Sequence, residues 1–287
     1  MTKAQIPGKL MIIWDYDGAA GNINASYPYK FDEAKIIREI ENVETILRIA
    51  EKRHLKMTFA CVGFGAEPGT YPYHIPDQIR RIRALGHEIA SHSWRHEWFP
   101  FLEKEQIQLS LSRSKFALET CVGEPGSVTG FILPFSRPMS WYARGALSLG
   151  DRAFGPCYPG ADLGRVLTCV QEAGYQWSRV SYRPIWQKFL PQKPPDLGQK
   201  WPLFRDLVCV PSHVFGFDEP ARNLLERLSQ EGGTLVVSAH PAALSFGREE
   251  SLENFQAFSD LAAHHQEQGS IQSVTVQHYI QAQNSHA

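Results

Sequence analysis

The stretch "KLMIIWDYDG", residues 9–18, governs the reading of the whole chain. Leu10 to Trp14 is an unbroken apolar run of strand length, and Asp15 and Asp17 follow it at once, two apart and closed by Gly18. Such a run is what fills a strand covered on both faces. Residues two apart on an extended chain point to the same side. The pattern therefore sets two like charges side by side at the end of a core element. Carboxylates there are costly unless they are paired, hydrogen-bonded or bound to a cation. A plain Asp-Gly turn accounts for Asp17 but gives Asp15 no purpose.

Outward from this strand, apolar runs alternate with helical patterns for nearly the whole length. Residues 31–53 carry Ile36, Ile37, Ile40, Val43, Ile46 and Leu47 at helical spacing, with Asp32 near the start. Residues 57–63 ("MTFACVG") read as a strand and 76–86 as a helix opened by Pro76 and closed by Gly86. The alternation continues with strands at 87–91, 128–134, 152–158, 175–181, 207–211, 234–240 and 271–276. Helices are expected at 103–123, 140–150, 163–174, 220–233 and 251–269. The proline-rich piece 183–202 reads as a rim loop of functional length. Repeated βα units imply a parallel sheet, and this many imply a barrel more than an open sheet. In such a barrel the C-terminal ends of the strands carry the chemistry, and Asp15, Asp17, His92, Pro134 and His240 all stand at such ends.

A chain of 287 residues, 43% hydrophobic, is ample for one core, so a single domain spanning 1–287 is expected. A net charge of -1 supplies no field to recruit nucleic acid or an anionic membrane surface. The basic-looking segment "QIRRIRALGHE" has its apolar residues at helical spacing and reads as a solvated helix face. Cys61, Cys121, Cys157, Cys169 and Cys209 are widely spaced with no CxxC, which points to reduced, mostly buried thiols. The first apolar run is short and followed by acids where a signal peptide would have a cleavage site, and no run reaches membrane-spanning length. A cytoplasmic protein without membrane insertion is the expectation.

"GHEIASHSWRH", residues 86–96, puts His92 and His96 four apart just beyond a strand. Two imidazoles and a carboxylate form a three-ligand set for zinc or a similar divalent ion, with room left for water. Asp17 can be that carboxylate. A cation there relieves the charge problem of the opening stretch, since it neutralises one aspartate and keeps its neighbour ionised.

With "DYDG" (15–18), "TFACVG" (58–63), "GHEIASHSWRH" (86–96) and "GGTLVVSAHP" (232–241) in this order, the chain resembles the polysaccharide deacetylase (NodB-homology) family of carbohydrate esterases over roughly residues 10–280. The resemblance implies an α/β fold, a distorted (β/α) barrel of seven or eight parallel strands. It implies one divalent metal ion, Zn2+ first with Co2+, Ni2+ or Mn2+ as alternatives, held by Asp17, His92 and His96. It implies removal of N-acetyl or O-acetyl groups from a sugar, an oligosaccharide or a polysaccharide. Asp15 would be the general base, His240 the general acid for the leaving amine, and a backbone N–H near Phe135 a donor to the oxyanion.

Two family motifs depart. The third normally reads Phe-Arg-x-Pro-Tyr-Gly, its arginine holding the base. Phe131-Ile132-Leu133-Pro134-Phe135-Ser136 has Ile132 in the arginine's place, and Arg137 just beyond is the candidate substitute. "RAFGPCYPG", 152–160, is a second placement that also lacks the arginine. The fourth motif, an aspartate–tryptophan pair that orients the acid histidine, is not evident; 175–184 offers Trp177 without an aspartate. Trp94, between two proposed ligands, is a candidate sugar-stacking residue, and Trp98, Phe99, Trp141 and Trp186 are weaker ones. His87 reads as structural, and His264 and His265 as solvated surface. Three functions compete: a glycan deacetylase acting on an acetylated glycan or glycan precursor, an amide hydrolase on a small non-sugar substrate, and a pseudoenzyme that binds glycan without cleaving it.

Overall fold

The structure, a computed structural model, describes residues 6–25, 29–99, 102–135, 163–179 and 194–285. It opens with β1 (Gly8–Tyr16), α1 (Gly18–Asn24), α2 (Glu33–Lys52), β2 (Met57–Cys61), α3 (Pro76–Ala84), β3 (Glu88–Ser91) and α4 (Lys104–Val122). It continues with β4 (Gly130–Ile132), α5 (Leu163–Glu172), β5 (Trp177–Arg179), β6 (Leu203–Phe204), β7 (Leu207–Val210) and β8 (Val214–Phe215). α6 (Glu219–Glu231), β9 (Thr234–Ala239), α7 (Leu252–Glu267), β10 (Ile271–Ser273) and α8 (Val276–Asn284) complete it. The helix and strand expected over 140–158 lie outside the described residues, as does the rim loop up to residue 193.

One sheet runs in the order β6-β7-β5-β4-β3-β2-β1-β9-β8, with β10 also paired to β1. Every pairing is parallel except the β6–β7 hairpin. The α/β fold with a mostly parallel sheet is as expected. The distorted barrel is borne out as a curled half-barrel, whose sheet among the described residues ends at β6 and β8. Among the described residues both edge strands are only two residues long, and β6 turns straight back into β7.

Side chains alternate between two buried layers. Leu10, Ile12, Trp14 and Tyr16 pack with Phe59, Phe131, Val237 and the apolar faces of α2, α3, α4, α6 and α7. Met11 and Ile13 face the inside of the curl with Ala60, Ala90, Ile132, Trp177, Val210 and Val236. α8 covers the lower mouth of this inner face with Val276 and Ile280. Asp15 is in register with Ala60 and so continues the inner column of β1, above Ile13. This is how the period of two delivers a charged group into the middle of the sheet. His265 is a correction: it is 8% exposed, not surface, because it pairs with Glu226 at 3.1 Å between α6 and α7. His87 Nδ1 accepts from the N–H of Met57 in β2 at 3.2 Å.

Glu88, at the bottom of the inner face, accepts from Thr58 Oγ1 (2.8 Å), Trp177 Nε1 (3.1 Å) and the Gln277 N–H (3.0 Å). Burial outweighs these three donors and pushes its pKa up to about 7. The folded chain thus holds this proton more tightly than the unfolded one does. The stability it contributes is full below the unfolded carboxyl pKa and is lost as pH rises through about 7. Between pH 5 and 8 the wild type should lose up to ~3 kcal/mol relative to Glu88→Gln. Urea midpoints across that range measure the difference, and parallel curves for the two proteins would contradict it.

Candidate active site

β1 ends at Tyr16, and the next residue, Asp17, stands at the N-cap of α1 with Gly18 at φ +58°. Its side chain makes no capping hydrogen bond to the helix. Oδ1 instead lies 3.5 Å from Nε2 of His92 and 3.4 Å from Nε2 of His96. Gly21, one turn into α1, packs against this side chain so closely that a Cβ there would stand 2.5 Å from the Asp17 Cβ.

His92 follows β3 directly, and its N–H extends the ladder to Cys61 O at 2.9 Å. Its Nδ1 donates to Ile132 O at 2.9 Å, which orients the ring with Nε2 toward Asp17. The segment from His92 to His96 is not helical. Ser93 and His96 both hold positive φ (66° and 58°). The turn is pinned from outside: Gly63 N–H and Ser114 Oγ donate to Ser93 O, and Phe64 N–H donates to Trp94 O. Backbone held in this region for non-glycine residues is costly and persists where surrounding contacts over-determine it. Here the result is that His96 turns back beside His92, ring centroids 4.9 Å apart.

Asp17 Oδ1 and His96 Nδ1 are buried without a hydrogen-bond partner. Asp17, His92 and His96 are a group whose ligand atoms lie within 4.8 Å of one another. Zinc–nitrogen and zinc–oxygen bonds of about 2.1 Å in a tetrahedron put neighbouring donors about 3.4 Å apart. The spacing around Oδ1 is of that size, and an orphaned carboxylate oxygen between two imidazoles is the donor set such an ion takes. The residues fit a divalent cation. Burial raises the Asp17 pKa, but His96 and His92 outweigh it and hold the carboxyl well below its usual range. Burial brings His96 down to about 4, so its imidazole is neutral near pH 7.

Asp15 is 4% exposed and lies outside the three-donor group. Arg179, at the end of β5 and 1% exposed, grips it with both terminal nitrogens: Nη1 donates to Oδ1 at 2.8 Å and Nη2 to Oδ2. Nη1 also donates to Ser238 Oγ of β9 at 3.1 Å. Burial works to raise the Asp15 pKa, and Arg179, His92 and His240 overcome it and keep the group ionised. His240, just past β9, has Nε2 3.8 Å from Asp15 Oδ2 and Nδ1 3.0 Å from Glu250.

Asp15, Asp17, His92, His96 and His240 are therefore brought together. Phe135 joins them with φ 58°, its ring 4.4 Å from that of His96 and stacked on Trp98 at 4.5 Å. Arg137, Trp141 and Trp186 lie outside the described residues. Trp94 is corrected as a sugar-stacking residue. The guanidinium carbons of Arg95 and Arg113 lie 3.5 and 3.4 Å from its ring centre, too close together to share one face. Both faces are thus covered, and Nε1 donates to Glu67. Trp98 and Phe99 are likewise buried in packing, at 4% and 1% exposure.

Arg179 and Glu250 are the residues that sequence reading missed. Arg179 had a signal: a charge on the same strand face as Trp177, in a segment otherwise reading as core. Its register partner is Ile132, the residue in the family arginine's slot. The guanidinium has in effect moved one strand sideways. Glu250 carried none, because an acid before α7 reads as an ordinary first-turn helix charge.

The polysaccharide deacetylase family model matches residues 29–151, a segment that includes His92 and His96. No curated protein matches the chain in sequence at a significant level. Among solved structures, a candidate polysaccharide deacetylase of Mycobacterium smegmatis is 17% identical with a TM-score of 0.66, over 99% of this chain and 94% of that one. PuuE allantoinase is 14% identical with a TM-score of 0.59, over 93% and 87%. A family 4 carbohydrate esterase from Streptomyces lividans, solved with acetate, is 13% identical with a TM-score of 0.51, over 94% and 93%. At these identities the likeness is one of fold. The matched segment and the shared fold bear out the resemblance to the polysaccharide deacetylase family that the motifs carry.

Proposed function

We propose that this site hydrolyses acetyl groups from an acetylated sugar or glycan precursor with the help of one divalent cation. The observation that carries the reading is a juxtaposition: a buried two-histidine, one-carboxylate donor set beside an aspartate–histidine pair 3.8 Å apart. Asp17, His92 and His96 would hold the ion, and zinc suits two imidazoles and a carboxylate. When bound, it supplies positive charge that polarises a carbonyl and makes water acidic.

The chain's own groups account for the proton traffic. Asp15, kept ionised by Arg179, takes the proton from the attacking water. A backbone N–H near Phe135, where the chain turns at positive φ, is the donor for the oxyanion. His240 stays charged below about pH 9 and delivers its Nε2 proton to the departing nitrogen. Base and acid have opposite charge at neutral pH, the state the reaction requires.

Acetate release from a panel of N- and O-acetylated oligosaccharides, zinc-loaded wild type against Asp15→Asn, tests this. The variant should lose about 10²–10⁴-fold in kcat, the share a general base supplies. Absence of acetate from every sugar, with turnover of small amides, would transfer the same site to the amide-hydrolase reading. Gly21→Ala gives a second check. Its Cβ would collide with Asp17, so zinc affinity in a chelator competition should fall about 10–100-fold, as it does when a ligand's support is removed. Unchanged affinity would remove Asp17 from the ligand set.

A further inference from the structure

His240 has a partner that the proton traffic above does not use. Glu250 Oε2 accepts from the backbone N–H of His240 and, at 3.0 Å, from its ring Nδ1. A carboxylate oxygen facing both groups requires a proton on Nδ1. One oxygen thereby ties ring to backbone of the same residue, fixes the side-chain torsions and turns Nε2 toward Asp15. We propose that Glu250 is the positioning residue of this site, setting the ring of His240, and that Gly216 sets the position of Glu250.

Glu250 lies on the segment between the 3-10 turn Pro241–Ser245 and α7. That segment is held from the side of β8. Phe217 N–H donates to Glu249 O at 2.8 Å, and Asn254 Nδ2 donates to Arg248 O at 2.8 Å. Arg222 Nη1 donates to Phe217 O and Asn254 Oδ1 at 3.0 and 3.1 Å, locking these two anchors to each other. Gly216 holds φ +84°, and a Cβ there would stand 2.7 Å from the Glu249 Cβ and 2.9 Å from its carbonyl carbon and oxygen. Backbone is the obstacle on one side of that contact. Any side chain at 216 must displace Glu249, and Glu250 with it.

The groups around His240 come from several elements. Asp15 and Asp17 face it from β1 and its end, Glu250 from the segment before α7, and Phe215 of β8 stacks on it at 6.3 Å. Arg179 of β5 is engaged by Asp15. Glu39 of α2 and His96 act from further off. Burial alone would discharge the ring; Glu250 foremost, then Asp15 and Asp17, reverse this and raise its pKa to about 9. The first three of these carboxylates are not equivalent, because Glu250 alone makes a hydrogen bond to the ring.

The proposal deepens the reading of His240 as proton donor, but its test needs no substrate. The imidazole of His240 is titrated by nitrogen NMR in the full chain, with and without zinc. Glu250→Gln should weaken proton binding by about tenfold or more, a downward shift of about one pKa unit at least. Gly216→Ala should shift it the same way, although the N–H of residue 216 bonds to Ser238 O and not to the ring. Asp15→Asn should shift it less than Glu250→Gln does. A smaller shift in Glu250→Gln, or a larger one in Asp15→Asn, overturns the proposal. In turnover, Glu250→Gln should lower kcat and move the alkaline limb of its pH profile down with KM unchanged. Lack of acetate release in the wild type would sink the proposed reaction and leave the titration result to stand by itself.

Discussion

Asp17→Asn and His92→Ala should each abolish acetate release and zinc binding together. A Lewis acid supplies several kcal/mol of transition-state stabilisation, and each ~1.4 kcal/mol is tenfold, so the loss should reach about a thousandfold or more. Two thermal measurements separate a lost ligand from a lost fold. Ligand that binds only the native state stabilises by mass action, about 4 kcal/mol when its concentration is a thousand times Kd. Zinc should therefore raise the wild-type melting temperature by several degrees and leave both variants unmoved. His92→Ala also frees the Ile132 carbonyl of its 2.9 Å donor, a buried acceptor that sits on the strand next to the site. Some metal-free destabilisation is expected in His92→Ala for that reason. Zinc that protects the variants as well as it protects the wild type would place the cation elsewhere.

Arg179→Met should be the most destabilising single change at the site. It leaves the carboxylate of Asp15, 4% exposed, without its bidentate partner. Removing one member of a buried pair costs about 3–5 kcal/mol, because the remaining charge is stranded. Activity should fall at the same time, since a carboxylate that has lost its cation takes up a proton and no longer serves as a base. Adding Asp15→Asn to Arg179→Met makes both partners neutral. The double variant should regain much of the stability in urea and none of the acetate release. A second double, Ile132→Arg with Arg179→Met, uses the register of β4 and β5. It returns a guanidinium to the family's usual strand and should recover part of the lost turnover. If Arg179→Met alone is as stable and as active as the wild type, Asp15 does not depend on this arginine.

These expectations draw on two different sources, and the elements show where they part. β1, α2, β2, α3 and β3 were legible because each is long or strongly periodic: the apolar run of β1 and the stripe on α2 report which faces are buried whatever their neighbours are. The aspartates and histidines were legible for a related reason. They sit at strand ends within a few residues of one another in sequence, Asp15 with Asp17 and His92 with His96, so local spacing is enough to group them. Where the curled sheet ends was not, because that depends on the edges, and the edge strands among the described residues are two-residue pieces with no pattern of their own. Trp94 misled for a like reason. Its place between two histidines says nothing of Arg113, which reaches its ring from the helix α4.

The βα alternation and the parallel sheet follow from periodicity, a property of neighbours along the chain, and the five residues at the sheet's upper end from motif spacing and the resemblance it carries. The partners that give these residues their charge state come from contacts far apart in the chain. Arg179 stands 164 positions from Asp15 and reaches it through the register of β4 and β5; Glu250 reaches His240 through a loop anchored by Gly216 and Phe217. A buried carboxylate needs a counter-charge, but strand order and loop path choose which residue provides it, and neither is a local property of the chain.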